Sequence, residues 1–156
     1  MNTKPKLDEA ARACQAFSLA EVVIALMIAV MLMVGIVLGF VEATQSAEWG
    51  SYNLAAQSLA NQGLEQARAA SWDPQAPTPV DMCNPTNFPN QTNILDVPVI
   101  GTNITYATSM WTITVVATNP YPLKMIKVDT TWTFYKPGIS SRVFTNSVAT
   151  FRAPNQ

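Results

Sequence analysis

One carboxylate, Glu21, lies inside the most apolar stretch of the chain. Between Phe17 and Val41 no other side chain can ionise. A carboxylate within a bilayer costs a few kcal/mol even on insertion scales, so it normally has a partner or faces a cavity. Pairing with a cation is the chemistry that suits it. Glu21 also lies about 6 Å along a helix from Phe17, close enough to snorkel to the membrane surface, and spacing alone leaves both interpretations open.

Residues suited to catalysis are scarce elsewhere. The chain has no histidine, and it contains no nucleophile elbow, no Gly-rich phosphate loop and no CxxC pair. The commonest acid-base, metal and nucleotide chemistries therefore have no constellation here, and we expect neither an enzyme nor a cofactor. Three aspartates in a segment rich in Asn offer the oxygen ligands that Ca²⁺ prefers, but their spacing favours ordinary turn carboxylates: Asp73, Asp81 and Asp96.

The element that carries Glu21 is a predicted membrane-spanning helix. Residues 22–41 contain no charge, and a helix of that length rises roughly 30 Å, the thickness of the hydrocarbon core. Lys4, Lys6 and Arg12 precede the run, whereas Glu42 and Glu48 are the first charges after it. The positive-inside rule then places the N-terminus in the cytoplasm and the remainder outside it.

A secretory signal peptide is the rival interpretation of this segment. Such a peptide has an apolar region of only about 7–15 residues that ends at a small-residue cleavage site. Val41-Glu42-Ala43 is the weak candidate for that site. The apolar run is too long for this class, so a membrane anchor is favoured.

Helical periodicity continues beyond the membrane segment. An apolar stripe at spacings of three and four predicts one helix that runs from about residue 17 to residue 70 and needs a partner surface for its second half. The stripe comprises Trp49, Tyr52, Ala56, Leu59, Gly63 and Ala67, widened by Ala60 and Leu64. Pro74, Pro77 and Pro79 then make Asp73 the predicted boundary of the helix.

The rest of the chain divides into an irregular segment and a β-rich one. Residues 73–96 are rich in Asn, Pro, Asp and Thr and are predicted to form a long loop. Three later runs, 103–118, 123–136 and 139–152, are rich in β-branched and aromatic residues. In the second run, Ile126, Val128 and Trp132 alternate with Lys127 and Asp129. That alternation predicts an antiparallel sheet with one covered face, and the amphipathic half of the helix is the available cover.

The N-terminal motif resembles a known processing signature. The run AFSLAEVVIAL, from Ala16 to Leu26, is similar to the start of type IV pilins and type II secretion pseudopilins. That signature has a small residue, an aromatic residue, a short stretch to a glutamate and then an unbroken apolar helix. The second half of the chain resembles minor pilins and minor pseudopilins, but only as an architecture. This chain carries Ala16 where the family usually has glycine.

The resemblance implies a specific maturation path. A prepilin peptidase would cut between Ala16 and Phe17, remove a leader of residues 1–16 and methylate the new amino group of Phe17. Glu21 would become the fifth mature residue and would pair with the N-terminus of a neighbouring pilin during assembly. It would lack a partner in the lone subunit, which would wait in the bacterial inner membrane with its C-terminal domain in the periplasm.

The sequence patterns and the resemblance together give the expected organisation of the chain. The expected fold is α+β and pilin-like: a transmembrane half-helix (17–41), an amphipathic half (42–72), a Pro/Asn-rich loop (73–96) and an antiparallel sheet (97–156). Gly35 and Gly39 form a GxxxG pattern that would serve close helix packing, although glycine is also common in membrane helices generally. If the leader leaves with Cys14, Cys83 has no partner within the chain and is interpreted as an inert thiol.

Two further functions remain as alternatives. An uncleaved single-pass signal-anchored protein would share the helix and the exterior domain. A DNA-binding pilin would use the basic residues of the last third, but the mature region, with six basic and eight acidic residues, favours a solvated sheet face and makes nucleic acid an unfavoured partner. The basic residues concerned are Lys124, Lys127, Lys136, Arg142 and Arg152.

Overall fold

The computed structural model describes residues 18–97, 104–118, 122–135 and 141–155. The predicted leader (1–16) and Phe17 lie outside these ranges. The elements in chain order are helix α1 (Leu19–Ala69), strands β1 (Trp72–Asp73) and β2 (Val80–Asp81), a 3₁₀ helix (Pro85–Asn87), and strands β3 (Gln91–Asp96), β4 (Thr105–Ala117), β5 (Leu123–Phe134) and β6 (Arg142–Arg152). The fold is α+β, as predicted. The chain divides into two compact units between Thr44 and Gln45.

The described part of the first unit is the apolar half of α1. All of residues 18–44 are exposed, and an 18-residue window within the helix reaches a mean hydropathy of 3.0. This helix is long and apolar enough to cross a membrane, as predicted. Near its end the hydroxyl of Thr44 donates to the carbonyl of Phe40 at 2.9 Å. Residues 41–43 are the weak cleavage candidate of the signal-peptide interpretation. In the structure they lie within α1, which continues through them without a break.

The second unit contains a four-stranded antiparallel sheet in the order β3-β4-β5-β6. Strands adjacent in sequence are adjacent in the sheet, as is usual for consecutive strands. In β5 the even-numbered residues from 124 to 132 are buried and the odd-numbered ones are half-buried or exposed. This is the predicted alternation. The buried face packs against the second half of α1, whose buried residues are Tyr52, Ala56, Ala60, Gly63, Leu64 and Ala67.

Small residues on α1 let the helix approach the sheet closely. Trp111 of β4 lies against Gly63, and its indole Nε1 donates to the Gly63 carbonyl at 3.0 Å. A Cβ atom at residue 63 would come within 2.9 Å of Trp111 Cζ2. Further along the interface, Trp132 of β5 is 2% exposed and stacks on Phe144 at 5.0 Å between ring centroids. Glycine at 63 therefore makes room for a tryptophan.

The region after the helix agrees with the prediction in one respect and differs in another. α1 ends at Ala69, close to the predicted end near residue 70 and a few residues before the proline-based boundary at Asp73. Arg152 Nη1 donates to the carbonyl of Ala67 at 3.0 Å and so satisfies one of the free carbonyls of the last turn. Residues 73–96 are not one irregular loop, since they contain β2, the 3₁₀ helix and β3, an edge strand of the main sheet. Only two of the six residues of β3, Ile94 and Leu95, are apolar, and the strand signal is correspondingly weak.

Candidate functional site

Glu21 lies in the first turn of α1, where it forms a reciprocal pair with Ser18. The Ser18 amide donates to Glu21 Oε2 at 2.9 Å, and the Ser18 hydroxyl donates to the same oxygen at 3.2 Å. The Glu21 amide donates back to Ser18 Oγ at 3.3 Å. Val22 N–H donates to the Ser18 carbonyl at 3.2 Å, which makes Ser18 the N-cap of the helix. This arrangement is a capping box.

The capping box corrects one expectation about Glu21. The carboxylate does not lack a partner in the single chain, because two donors of Ser18 bind it. Hydrogen bonds to an ionised carboxylate are stronger than those between neutral groups, so Ser18 offsets part of the cost of placing the charge at the start of an apolar helix. The sequence carried a signal for this pair, a serine followed three residues later by a glutamate just before an apolar run.

Gly35 and Gly39 lie on an open part of the first unit. A Cβ atom built at either position would meet no atom within 4 Å. The large apolar side chains around them are exposed as well, with Phe40 at 73% and Ile36 at 71%. Within residues 18–44, the described part of the first unit, the GxxxG pattern therefore makes no close packing contact. The prediction that Gly35 and Gly39 serve close helix packing remains a prediction, and it concerns contacts with lipid or with partner helices.

The three candidate calcium ligands do different things in the structure. Asp73 Oδ1 accepts hydrogen bonds from the amides of Gln75 and Ala76 at 2.9 and 3.1 Å, which closes a tight turn. Asp81 binds Lys124 with both carboxylate oxygens, each at 2.6 Å. No group of three or more His, Cys, Asp or Glu side chains that could hold a metal ion occurs among the described residues.

Asp96 faces a phenol from the helix. Tyr52 Oη donates to Asp96 Oδ2 at 2.5 Å and lies 3.1 Å from Glu48 Oε1. Burial, followed by the hydrogen bonds to Asp96 and Glu48, raises the pKa of Tyr52 well above its ordinary value of 10.0. A register shift between Ile94 and Asp96 interrupts the β3–β4 ladder at this point. The contact ties the end of an edge strand to the helix.

Lys124 is the residue that the sequence interpretation misplaced. The sequence favours a solvated sheet face for the basic residues of the last third, yet Lys124 is 5% exposed. Besides Asp81, its ammonium group donates to the carbonyl of Cys83 at 2.7 Å and lies 4.7 Å from the ring centroid of Trp72. One buried cation therefore holds the β1–β2 hairpin against β5. Cys83 itself is fully buried, as an inert thiol would be.

The other basic residues are largely engaged too. Lys127 pairs with Asp129 at 2.8 Å, and Arg68 pairs with Glu65 at 2.7 Å on the helix surface. Arg152 caps the end of α1, as described above. Lys136 lies outside the described residues. Four of the five basic residues described in the second unit are thus engaged, whereas Arg142, at the start of β6, is exposed.

No protein-family model, no curated protein and no solved structure matches this chain. The assignment therefore depends on the molecule itself. A long N-terminal helix with an apolar exposed first half and a second half packed on an antiparallel sheet is a pilin-like architecture.

Proposed function

We propose that this chain is a minor pilin or pseudopilin, a structural subunit that is assembled through its N-terminal helix into a type IV pilus or a type II secretion pseudopilus. One observation carries the proposal: helix α1 joins a fully exposed apolar half, with a single carboxylate in its first turn, to a half that is buried on its own sheet. The large apolar side chains of this half that the structure describes are exposed. This half therefore requires lipid before assembly and other helices after it.

Maturation in this proposal begins at the cytoplasmic face of the inner membrane. A prepilin peptidase cuts between Ala16 and Phe17, and the new amino group of Phe17 is methylated. The cut creates a cation that the precursor lacks at this position. Opposite charges in a low dielectric stabilise each other strongly, so the ammonium group of one subunit is a suitable partner for Glu21 of the next.

The site of assembly follows from the same elements. The single subunit spans the inner membrane once, with residues 1–16 in the cytoplasm and the second unit in the periplasm, in agreement with the positive charges that precede the apolar run. Gly35 and Gly39 allow neighbouring helices to approach closely in the filament. The segment after the helix, with its own hairpin and 3₁₀ helix, favours a low-copy subunit near the tip or an assembly initiator over a uniform shaft component.

A DNA-binding pilin is the weaker alternative. Sequence-independent DNA binding needs free Lys and Arg side chains that neutralise phosphates. Here Lys124 is buried against Asp81 and Lys127 is paired with Asp129, which argues against a phosphate-binding surface on β5. Binding of duplex DNA that weakens steeply with added salt would revive this alternative. An uncleaved signal-anchored protein is the other alternative: it would share the helix and the exterior domain but would have no reason to be cut at Phe17.

Assembly of Glu21 variants tests the proposal. In the native host we would measure the amount of the chain in a sheared or cross-linked filament fraction, relative to the amount in the membrane. Glu21→Ala is expected to insert normally but to be lost from filaments. Glu65→Ala is the matched control, because Glu65 lies on the same helix but only in a surface pair with Arg68. Wild-type incorporation of Glu21→Ala would contradict the proposal.

A further inference from the structure

The second unit has one end at which its part of α1 begins. Gln45 is the first residue of this unit, and one turn later Trp49 packs against Trp132 and Phe144, with ring centroids 6.3 and 5.8 Å apart. Trp132 lies near the end of β5 and Phe144 near the start of β6. Because the strands are antiparallel, β3 also ends here and β4 also begins here. We call this part of the molecule the Gln45 end.

Large apolar side chains are exposed at the Gln45 end. Four of them, which are between 37% and 71% exposed, form what we call the apolar rim: Trp49, Tyr106, Tyr135 and Val143. Trp49 lies in the helix, and each of the other three lies within one residue of a strand end. The opposite end has exposed apolar residues too, among them Phe151 at 62%. Exposure alone therefore does not distinguish the two ends.

The type of aromatic residue does distinguish them. Among the described residues of the second unit, every exposed tryptophan or tyrosine belongs to the apolar rim: Trp49, Tyr106 and Tyr135. The buried Trp111 and Trp132 donate their indole N–H groups to other residues of the unit. In the described parts of the chain, no hydrogen bond uses the polar tips of the three exposed rings. Side chains with an apolar body and a polar tip are enriched where a membrane meets water.

The Gln45 end is tied closely to the apolar half of α1. Only residues 42–44 separate Val41, the last residue of the charge-free run, from Gln45. Four residue steps reach at most about 14 Å even when the chain is fully extended. Once residues 22–41 span a bilayer, the Gln45 end is therefore the part of the second unit that is held nearest to the lipid.

The charges at the Gln45 end are compatible with a lipid surface. Two acidic side chains there, Glu48 and Asp96, are turned toward the hydroxyl of Tyr52, whose oxygen lies 3.1 Å from Glu48 Oε1 and 2.5 Å from Asp96 Oδ2. Arg142, at the start of β6, is exposed. An exposed guanidinium group is a good partner for a phosphate.

We propose that the apolar rim rests in the phospholipid headgroup region of the membrane that the first half of α1 spans. The single subunit then lies against lipid by the Gln45 end, instead of hanging free on its anchor. The three aromatic tips donate to phosphate and ester oxygens, and Val143 lies at the boundary with the acyl chains. This inference rests on the membrane span in the proposed function, but not on cleavage or assembly. Under that function the contact is broken when a subunit leaves the membrane, so it opposes extraction.

Two label positions on one strand test the contact. Val143 and Phe151 lie on the same face of β6, are both largely exposed and are about 27 Å apart. Val143→Cys and Phe151→Cys would be made in the full chain with Cys14→Ser, while Cys83 is fully buried and stays unlabelled. Each labelled chain would be placed singly in nanodiscs of phosphatidylethanolamine and phosphatidylglycerol that carry a quencher on the headgroup. We expect the fluorophore at residue 143 to be quenched and the one at residue 151 to stay bright, whereas equal quenching would contradict the proposal.

Substitutions in the rim separate lipid contact from simple tethering. Tyr106→Ser combined with Tyr135→Ser removes two exposed rings, and Val115→Ser combined with Val116→Ser is the matched control at the opposite end. Quenching at residue 143 should fall to the level at residue 151 in the rim variant and stay unchanged in the control. Near-ultraviolet circular dichroism of the buried tryptophans checks that both variants keep their fold. Undiminished quenching in the folded rim variant would mean that the anchor alone holds the domain near lipid, and the proposal would be wrong.

A label in the apolar half separates this inference from the proposed function. Phe40→Cys should be quenched by lipids that carry the quencher on an acyl chain. If residue 40 is quenched and residues 143 and 151 are quenched alike, the rim contact is wrong and the membrane span stands. If residue 40 is not quenched, the span itself is absent, which contradicts both proposals. Shielding of residue 143 that appears only in vesicles holding many chains would assign the rim to a second copy and would also contradict the lipid contact.

Discussion

The two halves of α1 are built by different rules. In the first half every described side chain is exposed, and Gly35 and Gly39 face open space. In the second half a stripe of small and aromatic residues is buried, and the Trp111 ring occupies the space next to Gly63. The second half thus folds with its own domain, whereas under the proposed function the first half makes its contacts with lipid and with other helices. Substitutions that are matched between the halves make this contrast measurable.

Removal of a large buried ring should show the contrast most strongly. Trp132 contacts Phe144 and Tyr52, and its Nε1 donates to Asn146 Oδ1 at 2.9 Å. Trp132→Ala creates a cavity and leaves Asn146 without this donor, so we expect the domain to lose about 3–5 kcal/mol of unfolding free energy. Chemical denaturation of the full chain in detergent, followed by tryptophan fluorescence and circular dichroism, measures the loss.

Phe40→Ala is the matched substitution in the first half. Phe40 is 73% exposed, so its removal should leave the unfolding of the domain unchanged within error. A comparable loss of stability in both variants would mean that the first half is not independent of the domain.

The second contrast concerns charges. Asp81→Asn leaves the Lys124 ammonium buried with its counter-charge removed, and we expect a loss of about 2–3 kcal/mol. Lys124→Met fills a similar volume without a charge and should cost about 1 kcal/mol or less. Because the penalty of Asp81→Asn comes from the orphaned cation, the double variant should be no less stable than Lys124→Met alone. Denaturant titrations of the three variants provide the test.

Glu21→Gln is the counterpart in the first half. It removes a charge that is bonded to Ser18 in the same helical turn, so the unfolding free energy of the domain should not change. A destabilisation of the domain by Glu21→Gln would contradict the division of roles between the halves.

The third contrast uses glycines of a single helix. Gly63→Ala places a Cβ atom 2.9 Å from the Trp111 ring and should destabilise the domain by about 1–3 kcal/mol, despite the better helix propensity of alanine. Gly50→Ala meets no atom within 4 Å and should stabilise the helix by about 0.5–1 kcal/mol. Thermal unfolding of both variants compares the signs directly. If both substitutions changed stability in the same direction, Gly63 would not be tightly enclosed.

The smallest effect expected is a pH dependence at the exposed face of the sheet. Burial raises the pKa of Asp129, but hydrogen bonds from Lys127 and Ser147 outweigh it and hold the pKa below its ordinary value of 3.8. A lowered pKa in the folded state contributes stability at neutral pH, and that stability is lost as the pH falls below about 4. Asp129→Asn should remove this part of the acid sensitivity, by less than about 1 kcal/mol, since surface pairs are weak. Denaturation at pH 7 and pH 3 compares the two proteins, and an identical acid sensitivity would contradict the assignment.

Much of the fold could be predicted from local patterns. The stripe at residues 52, 56, 60, 63 and 67 has the helical period, and the alternation in β5 has the strand period, so each indicates its own buried face. Strand β3 was missed because an edge strand with few apolar residues carries little of that signal. Its pairing with β4 is a tertiary contact that no local window contains.

The candidate site was predicted unevenly for similar reasons. The place of Glu21 at the start of an apolar helix follows from the sequence, and its Ser18 partner is only three residues away, within reach of a local motif. The partner of Lys124 is Asp81, which lies 43 residues earlier in the chain, so the burial of this lysine could not be inferred from its neighbours. Its even-numbered position in β5 was the one available signal, because that face is the covered one.

The central claim is that the first half of α1 becomes an assembly element when the leader is removed. The most direct measurement is the intact mass and N-terminal sequence of the protein extracted from membranes of its native host. The account predicts a chain that begins at Phe17, lacks residues 1–16 and carries one additional methyl group on its amino terminus. A chain that retains residues 1–16, or one cleaved after Ala43, would contradict it.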